Sequence, residues 1–240
     1  MFFNCPGAIN IKQPSPETIH CPFCSYELEI FTDEVKARCP NCRKTVVREQ
    51  KQSCLDWCKH AKDCLGNEEY KSYIENKHIS VKERLLKELE AYFGSDLKRI
   101  NHARQVLDYA NELLKQEPAD WHIVVPASIL HDVGIKAAEE KYSSQAGHFQ
   151  ESEGPKIAKG ILARLGFKKE EIEEICEIIA YHHSPGKVNT LNFKLLYDAD
   201  SLVNFKDEID IDDETKVRAA IDRIFFTDTA KALARKIYLP

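Results

Sequence analysis

From residue 80 to the carboxyl terminus, apolar side chains recur at intervals of three and four, the period of an amphipathic helix. Val81, Leu85, Leu86, Leu89 and Phe93 follow Ser80 and Glu83, which have capping-box spacing, so a helix is predicted from Ser80 to a stop at Gly94. The next runs from Leu97 to Lys115, with Ile100, Ala103, Val106, Leu107, Ala110, Leu113 and Leu114 near one side and Pro118 behind it. Ile123 to Val133 is so apolar that it reads as a buried helix, with Pro126 in its first turn. Further helices are predicted over His148–Leu165, Lys169–Tyr181, Leu191–Asn204, Asp213–Phe226 and Thr229–Tyr238. Lys136–Gly147 and Pro185–Asn189 read as polar loops.

The first third has a different pattern. Residues 1–20 carry Pro6, Gly7, Pro14 and Pro16 and read as an extended or turning arm. Tyr26, Leu28 and Ile30 alternate with Glu27 and Glu29, which predicts a strand. Thr32-Asp33-Glu34 reads as a turn into a second strand through Val35, Ala37 and Cys39, with a third at Val46-Val47. Cys54 to Gly66 has helical spacing. The predicted organisation is a cysteine-rich metal-binding module over 1–66, a linker or short helix over 67–79, and an all-α domain over 80–240.

Eight of the nine cysteines precede Gly66, which marks a small module that needs metal or cross-links where a larger domain relies on burial. No signal-like opening and no run of about 18 apolar residues is present. A cytoplasmic, membrane-free protein is therefore expected, and a reducing compartment favours thiolate–metal chemistry over disulfides. The net charge is -5, and residues 1–66 balance nine basic against eight acidic side chains, so non-specific nucleic-acid binding is not expected.

Cys21, Cys24, Cys39 and Cys42 form two CxxC pairs. A hairpin between them would return the second pair to complete a tetrahedral sulfur shell, for which structural zinc is the first choice and iron or redox use the alternatives. Such a zinc-ribbon-like module supports a fold or contacts a protein partner. Cys5, Cys54, Cys58 and Cys64 could hold a second zinc or an iron–sulfur cluster, or pack as small hydrophobes.

In the helical part, polar residues interrupt apolar segments at His102, His131-Asp132, His182-His183 and Asp200. Burying such groups without partners costs several kcal/mol, on the order of 2–7 each, so a shared cation explains them better than separate accidents. Imidazole and carboxylate together suit manganese, iron, nickel, magnesium or zinc.

The phrases I100-N-H-A-R-Q-V106, I129-L-H-D-V-G134 and L196-Y-D-A-D-S-L202 resemble the HD-domain phosphohydrolases, as do H148-F-Q-E-S-E-G-P-K-I-A158 and I178-I-A-Y-H-H183. The resemblance spans roughly residues 97–205. It implies an all-α HD-domain bundle in which His102, His131, Asp132 and Asp200 bind a first divalent metal. Asp132 would bridge to a second metal held by His148 and by His182, His183 or both. The implied activity is hydrolysis of a phosphomonoester or phosphodiester, of a nucleotide or related small molecule, by metal-activated water. Relatives carry Lys directly after HDxG; here Ile135 takes that place and the base is Lys136. Lys136, Arg99, Arg104 and Lys187 are the candidate phosphate contacts. Asp198 is expected to support a ligand or to face solvent, and Tyr142, Phe149 and Tyr181 could stack a base. The alternative is a non-catalytic, metal-containing sensory or interaction module that binds a phosphorylated ligand.

Overall fold

The computed structural model describes residues 13–47, 55 and 58–239. The chain divides into two compact units, Met1–Arg84 and Leu85–Pro240.

In the first unit, β1 (Pro16–His20) pairs antiparallel with β2 (Glu27–Phe31), and β3 (Lys36–Arg38) pairs antiparallel with β4 (Thr45–Val47). This corrects the predicted hairpin between the cysteine pairs. β2 turns back on the segment read as an arm, so each CxxC is the turn of its own hairpin. Ser25 and Arg43, the residues after each second cysteine, have φ of 57° and 60°, which folds both turns tightly. The Ser25 N–H donates to Cys21 O and the Arg43 N–H to Cys39 O, at 2.8 and 2.9 Å. Leu28 and Ile30 point inward while Glu27, Glu29 and Phe31 point out, as a period of two requires. Leu28 and Val46 form a small core with Cys21 and Cys39.

Helix α1 (Ala61–Leu65) packs with Leu55 and Tyr73. Gly66, at φ 95°, breaks the chain before α2 (Asn67–Phe93). That helix is continuous, so of the two readings of 67–79, linker or short helix, the segment is helical but part of a longer helix, and the start at Ser80 is corrected. No glycine or proline interrupts residues 67–93, and Ser80 is buried inside the helix, where it caps nothing.

The second unit continues with α3 (Leu97–Leu113), α4 (Trp121–Leu130), α5 (Gly134–Tyr142), α6 (Gly147–Arg164), α7 (Lys169–Tyr181), α8 (Leu191–Glu208), α9 (Glu214–Ile224) and α10 (Asp228–Tyr238). Every residue of α4 from Ile123 to Leu130 is buried, because α3, α7 and α8 all pack on it. Pro126 lies in the helix interior and not in the first turn, since Asp120 caps the helix upstream by accepting from His122 N at 2.8 Å. Most of the stretch read as the loop 136–147 is α5.

Two glycines let α5 and α7 approach α6 closely. A Cβ on Gly134 would lie 2.3 Å from Gln150 O, and one on Gly154 would lie 2.9 Å from Ile179 Cγ2 on α7. The start of α5, two residues after Asp132, is thereby pressed onto α6. No helix of the described residues is long and apolar enough to cross a membrane.

Candidate metal centre

Four helices deliver six donors. His102 comes from the first half of α3, His131 and Asp132 from the turn that ends α4, His182 and His183 from the turn that ends α7, and Asp200 from the middle of α8. His102, His131 and Asp200 place one donor atom each within 4.8 Å of the others, and Asp132, His182 and His183 do the same.

In the first group His102 Nε2 lies 3.1 Å from Asp200 Oδ1 and 3.3 Å from His131 Nε2, while His131 Nε2 is 3.6 Å from Asp200 Oδ1. Donors on a divalent ion with bonds of about 2.1 Å stand about 3.0 Å apart in an octahedral shell and about 3.4 Å in a tetrahedral one. The observed separations fall at these edges. Asp132 faces both groups, with Oδ2 3.4 Å from His131 Nε2 and 3.6 Å from His102 Nε2, and Oδ1 3.6 Å from His182 Nε2.

The backbone fixes which nitrogen faces the centre. His131 Nδ1 lies 2.9 Å from Ser128 O, and His182 Nδ1 lies 2.7 Å from Ile179 O. A carbonyl only accepts, so both Nδ1 atoms carry the hydrogen and both Nε2 lone pairs point inward. His182 Nε2 is buried with no hydrogen-bond partner. His183 is arranged the other way round. Gln150 Nε2 donates to Gln145 O, which turns Gln150 Oε1 onto His183 Nε2 at 3.1 Å. That oxygen requires a hydrogen on Nε2, which leaves Nδ1 of His183 as the nitrogen with a lone pair to offer a cation. Glu151 accepts from His183 N and from Ser184 Oγ, each at 3.0 Å, and Gly147 leaves room for the His183 ring.

The electrostatics favour a cation. Burial resists charge on His131, but Asp132 and Asp200 beside it outweigh that and push its pKa up to about 9. Burial would likewise raise Asp132 and Asp200; His131 and His182 hold the first well below the usual carboxylate range, and His102 with His131 lowers the second. Two ionised acids thus face a ring of imidazoles, and a proton on His131 occupies a place that a metal ion would take.

Several sequence-predicted residues lie elsewhere. His148 is exposed, with its ring against Phe149, and belongs to neither donor group. On α6 it stands about 200° around the helix from Gln150, so the two cannot face His183 together. Arg99 is held by Asp96 and Glu139, at 2.9 and 2.7 Å, and Lys136 donates to Tyr92 O at 3.2 Å. Arg104 pairs with Glu90. Asp198 neither supports a ligand nor faces solvent: it is buried and accepts from Phe226 N, Thr227 N and Thr227 Oγ, anchoring the start of α10. Gln150 and Glu151 were missed, as was Asn204, which donates to Asp200 Oδ1 at 3.0 Å. Of these only Asn204 had a readable signal, four residues along the helix from Asp200.

In the first unit Cys21, Cys24, Cys39 and Cys42 converge as free thiols, with Sγ separations of 3.6 Å for Cys21–Cys42 and 3.7 Å for Cys24–Cys39. A disulfide needs about 2.0 Å, whereas a tetrahedral sulfur shell with bonds of about 2.3 Å has edges of about 3.8 Å. The four residues could hold a zinc ion. Cys5 and Cys54 lie outside the described residues; Cys58 and Cys64 pack in or against the cluster around Leu55, and no metal-holding group forms there among the described residues.

Residues 99–224, more than half of the chain, match the HD domain model, and the chain belongs to that family. The structure is similar to the crystal structure of a predicted HD superfamily hydrolase from an uncultured Thermotogales bacterium. The TM-score is 0.50 and the identity 24%, over 65% of this chain and 84% of that one. At that identity the likeness speaks for the fold alone. No curated protein matches the chain.

Proposed function

We propose that the protein is a metal-dependent phosphohydrolase whose site holds two divalent ions, one on His102, His131 and Asp200 and one on His182 and His183, with Asp132 between them. The observation that carries this reading is the inward lone pair of His182 Nε2, buried without a partner beside a carboxylate that also faces the other group. A buried polar atom left unpaired costs about 1–3 kcal/mol, and a cation removes that cost. Divalent ions at such a site lower the pKa of water and neutralise phosphate oxygens. The chain's own part is to hold the donors still. Ser128 O and Ile179 O fix two imidazoles, Asn204 fixes Asp200, and Gln150 with Glu151 fixes His183.

A nucleotide or related compound is the favoured substrate class. Tyr142 and Phe149 stack at 4.2 Å, and the ring of His148, one residue after Gly147, which adjoins His183, lies tilted against Phe149 at 3.9 Å. Tyr142 is 43% exposed, so an aromatic surface is open to a base. We also propose that the four cysteines hold structural zinc and that the protein works in the cytoplasm.

One observation favours the second reading, a module that binds a phosphorylated ligand without turning it over: Arg99 and Lys136 are engaged by other groups of the protein. Metal-reconstituted protein tested on nucleotides, dinucleotides and cyclic dinucleotides separates the two. The enzyme reading expects turnover that Asp132→Asn abolishes. Binding throughout the panel without turnover would support the module.

A further inference from the structure

Summed over residues 1–66, the charges nearly cancel, but the two hairpins of the cysteine unit do not share them. The first hairpin, Pro16–Phe31, carries Glu17, Glu27 and Glu29 and no lysine or arginine. The second, Lys36–Val47, carries Lys36, Arg38, Arg43 and Lys44 and no acid. All four of these cations are exposed, and among the described residues none is in an ion pair. Arg38 Nε donates to Arg43 O at 3.1 Å, which gathers the two arginines at the turn. Lys44 Nζ stands 4.6 Å from the ring centroid of Phe23, and Phe23, in the other cysteine turn, is 50% exposed.

We propose that the second hairpin, together with Phe23, is a binding site for single-stranded nucleic acid. Four exposed cations on one short hairpin meet consecutive phosphates, and an exposed aromatic ring beside one of them meets the base attached to those phosphates. Stacking is what selects a single strand, because in a duplex both faces of each base are covered. An acidic peptide would match the cations and leave Phe23 unused. The inference does not depend on the hydrolase reading, since none of its residues belongs to the second unit.

The test is fluorescence anisotropy of a short labelled oligouridylate with the full chain. An Asp132→Asn background keeps cleavage out of the signal. The expected result is binding at low salt, with a logarithmic salt slope of up to about -3 for four phosphates at about 0.7 each. Arg38→Glu with Arg43→Glu should weaken it more than tenfold. Phe23→Ala, which removes an exposed ring and leaves the core intact, should weaken it about tenfold while sparing whatever weak binding a duplex shows. Zinc content equal to wild type shows that a variant keeps its cysteine unit. The proposal is overturned by absence of binding, by equal competition from polyglutamate, or by affinity unchanged in both variants. It is overturned equally if the charge-reversed variant loses self-association and no nucleic-acid affinity, because the acidic hairpin of a second copy would then be the occupant.

Discussion

An imidazole that must hold a metal has to present the right nitrogen, and the residues that see to this are not the ligands. His131 and His182 are oriented by carbonyls of their own helices three residues back, so their tautomer comes with the helix. His183 depends instead on Gln150, from another helix. In Gln150→Leu the Nε2 hydrogen of His183 has no acceptor. Imidazole nitrogen shifts should report loss of the Nε2–H tautomer, and calorimetry should report second-site metal affinity about 10–100-fold weaker, with the first site retained. Gln150→Glu keeps an acceptor and should keep the tautomer. The six converging donors stand out in the sequence because each interrupts an apolar helical stretch. Gln150 was not, since an amide on an amphipathic helix attracts no notice until its neighbour across the fold is known. Arg99 and Lys136 show the same limit in reverse: their partners, Glu139 and the Tyr92 carbonyl, lie about forty residues away.

At the scale of elements, the site depends on α5 and α6 meeting closely. Gly134→Ala would drive a methyl into Gln150 O, and such overpacking costs about 1–3 kcal/mol. Its melting temperature should fall, and second-site metal binding should weaken with it, because Gln150 and Glu151 move with α6. Glu153 on α6 secures the same contact, accepting from Lys141 and Tyr142 of α5 and from Lys156. Bonds to Lys141 and Lys156 lower its pKa to about 2 from an ordinary 4.5. A depressed carboxylate pKa stabilises the fold above 4.5, and that contribution is lost as pH falls from 4.5 toward 2. Denaturant melts should therefore show Glu153→Gln less stable than wild type at neutral pH, with the gap narrowing across that window. Apart from α5, which reads as a loop, and the first half of α2, helix positions followed from periodicity, and most ends lie within a few residues of their predictions. Strand pairing did not follow, because two similar CxxC turns can be joined as one hairpin between them or as two hairpins around them. The strand pairing shows the second arrangement, and the left-handed residues Ser25 and Arg43 close its two turns.

At the scale of the molecule, the two units hold their shape by different means. The second unit buries long helical stripes, with Phe193, Phe205, Leu89, Leu113, Leu130 and Ile178 almost fully covered. In the first, apart from the cluster around Leu55 and Tyr73, the two hairpins have a core of a few side chains around four thiols, too small to offset their own ordering entropy unaided. Structural zinc contributes on the order of 10 kcal/mol or more to such modules. With zinc on the four cysteines, as proposed, a strong chelator should release it and expose four thiols to a thiol reagent, while the helical circular dichroism of the second unit largely persists. Equal loss of both signals would contradict the account.

The central claim is that six donors on four helices hold two divalent ions, and counting those ions tests it most directly. Elemental analysis of protein reconstituted with manganese should give two ions in wild type, with His102→Ala and His182→Ala each losing one and keeping the other. Protein that folds normally and takes up no manganese, or whose manganese content neither substitution changes, would contradict it.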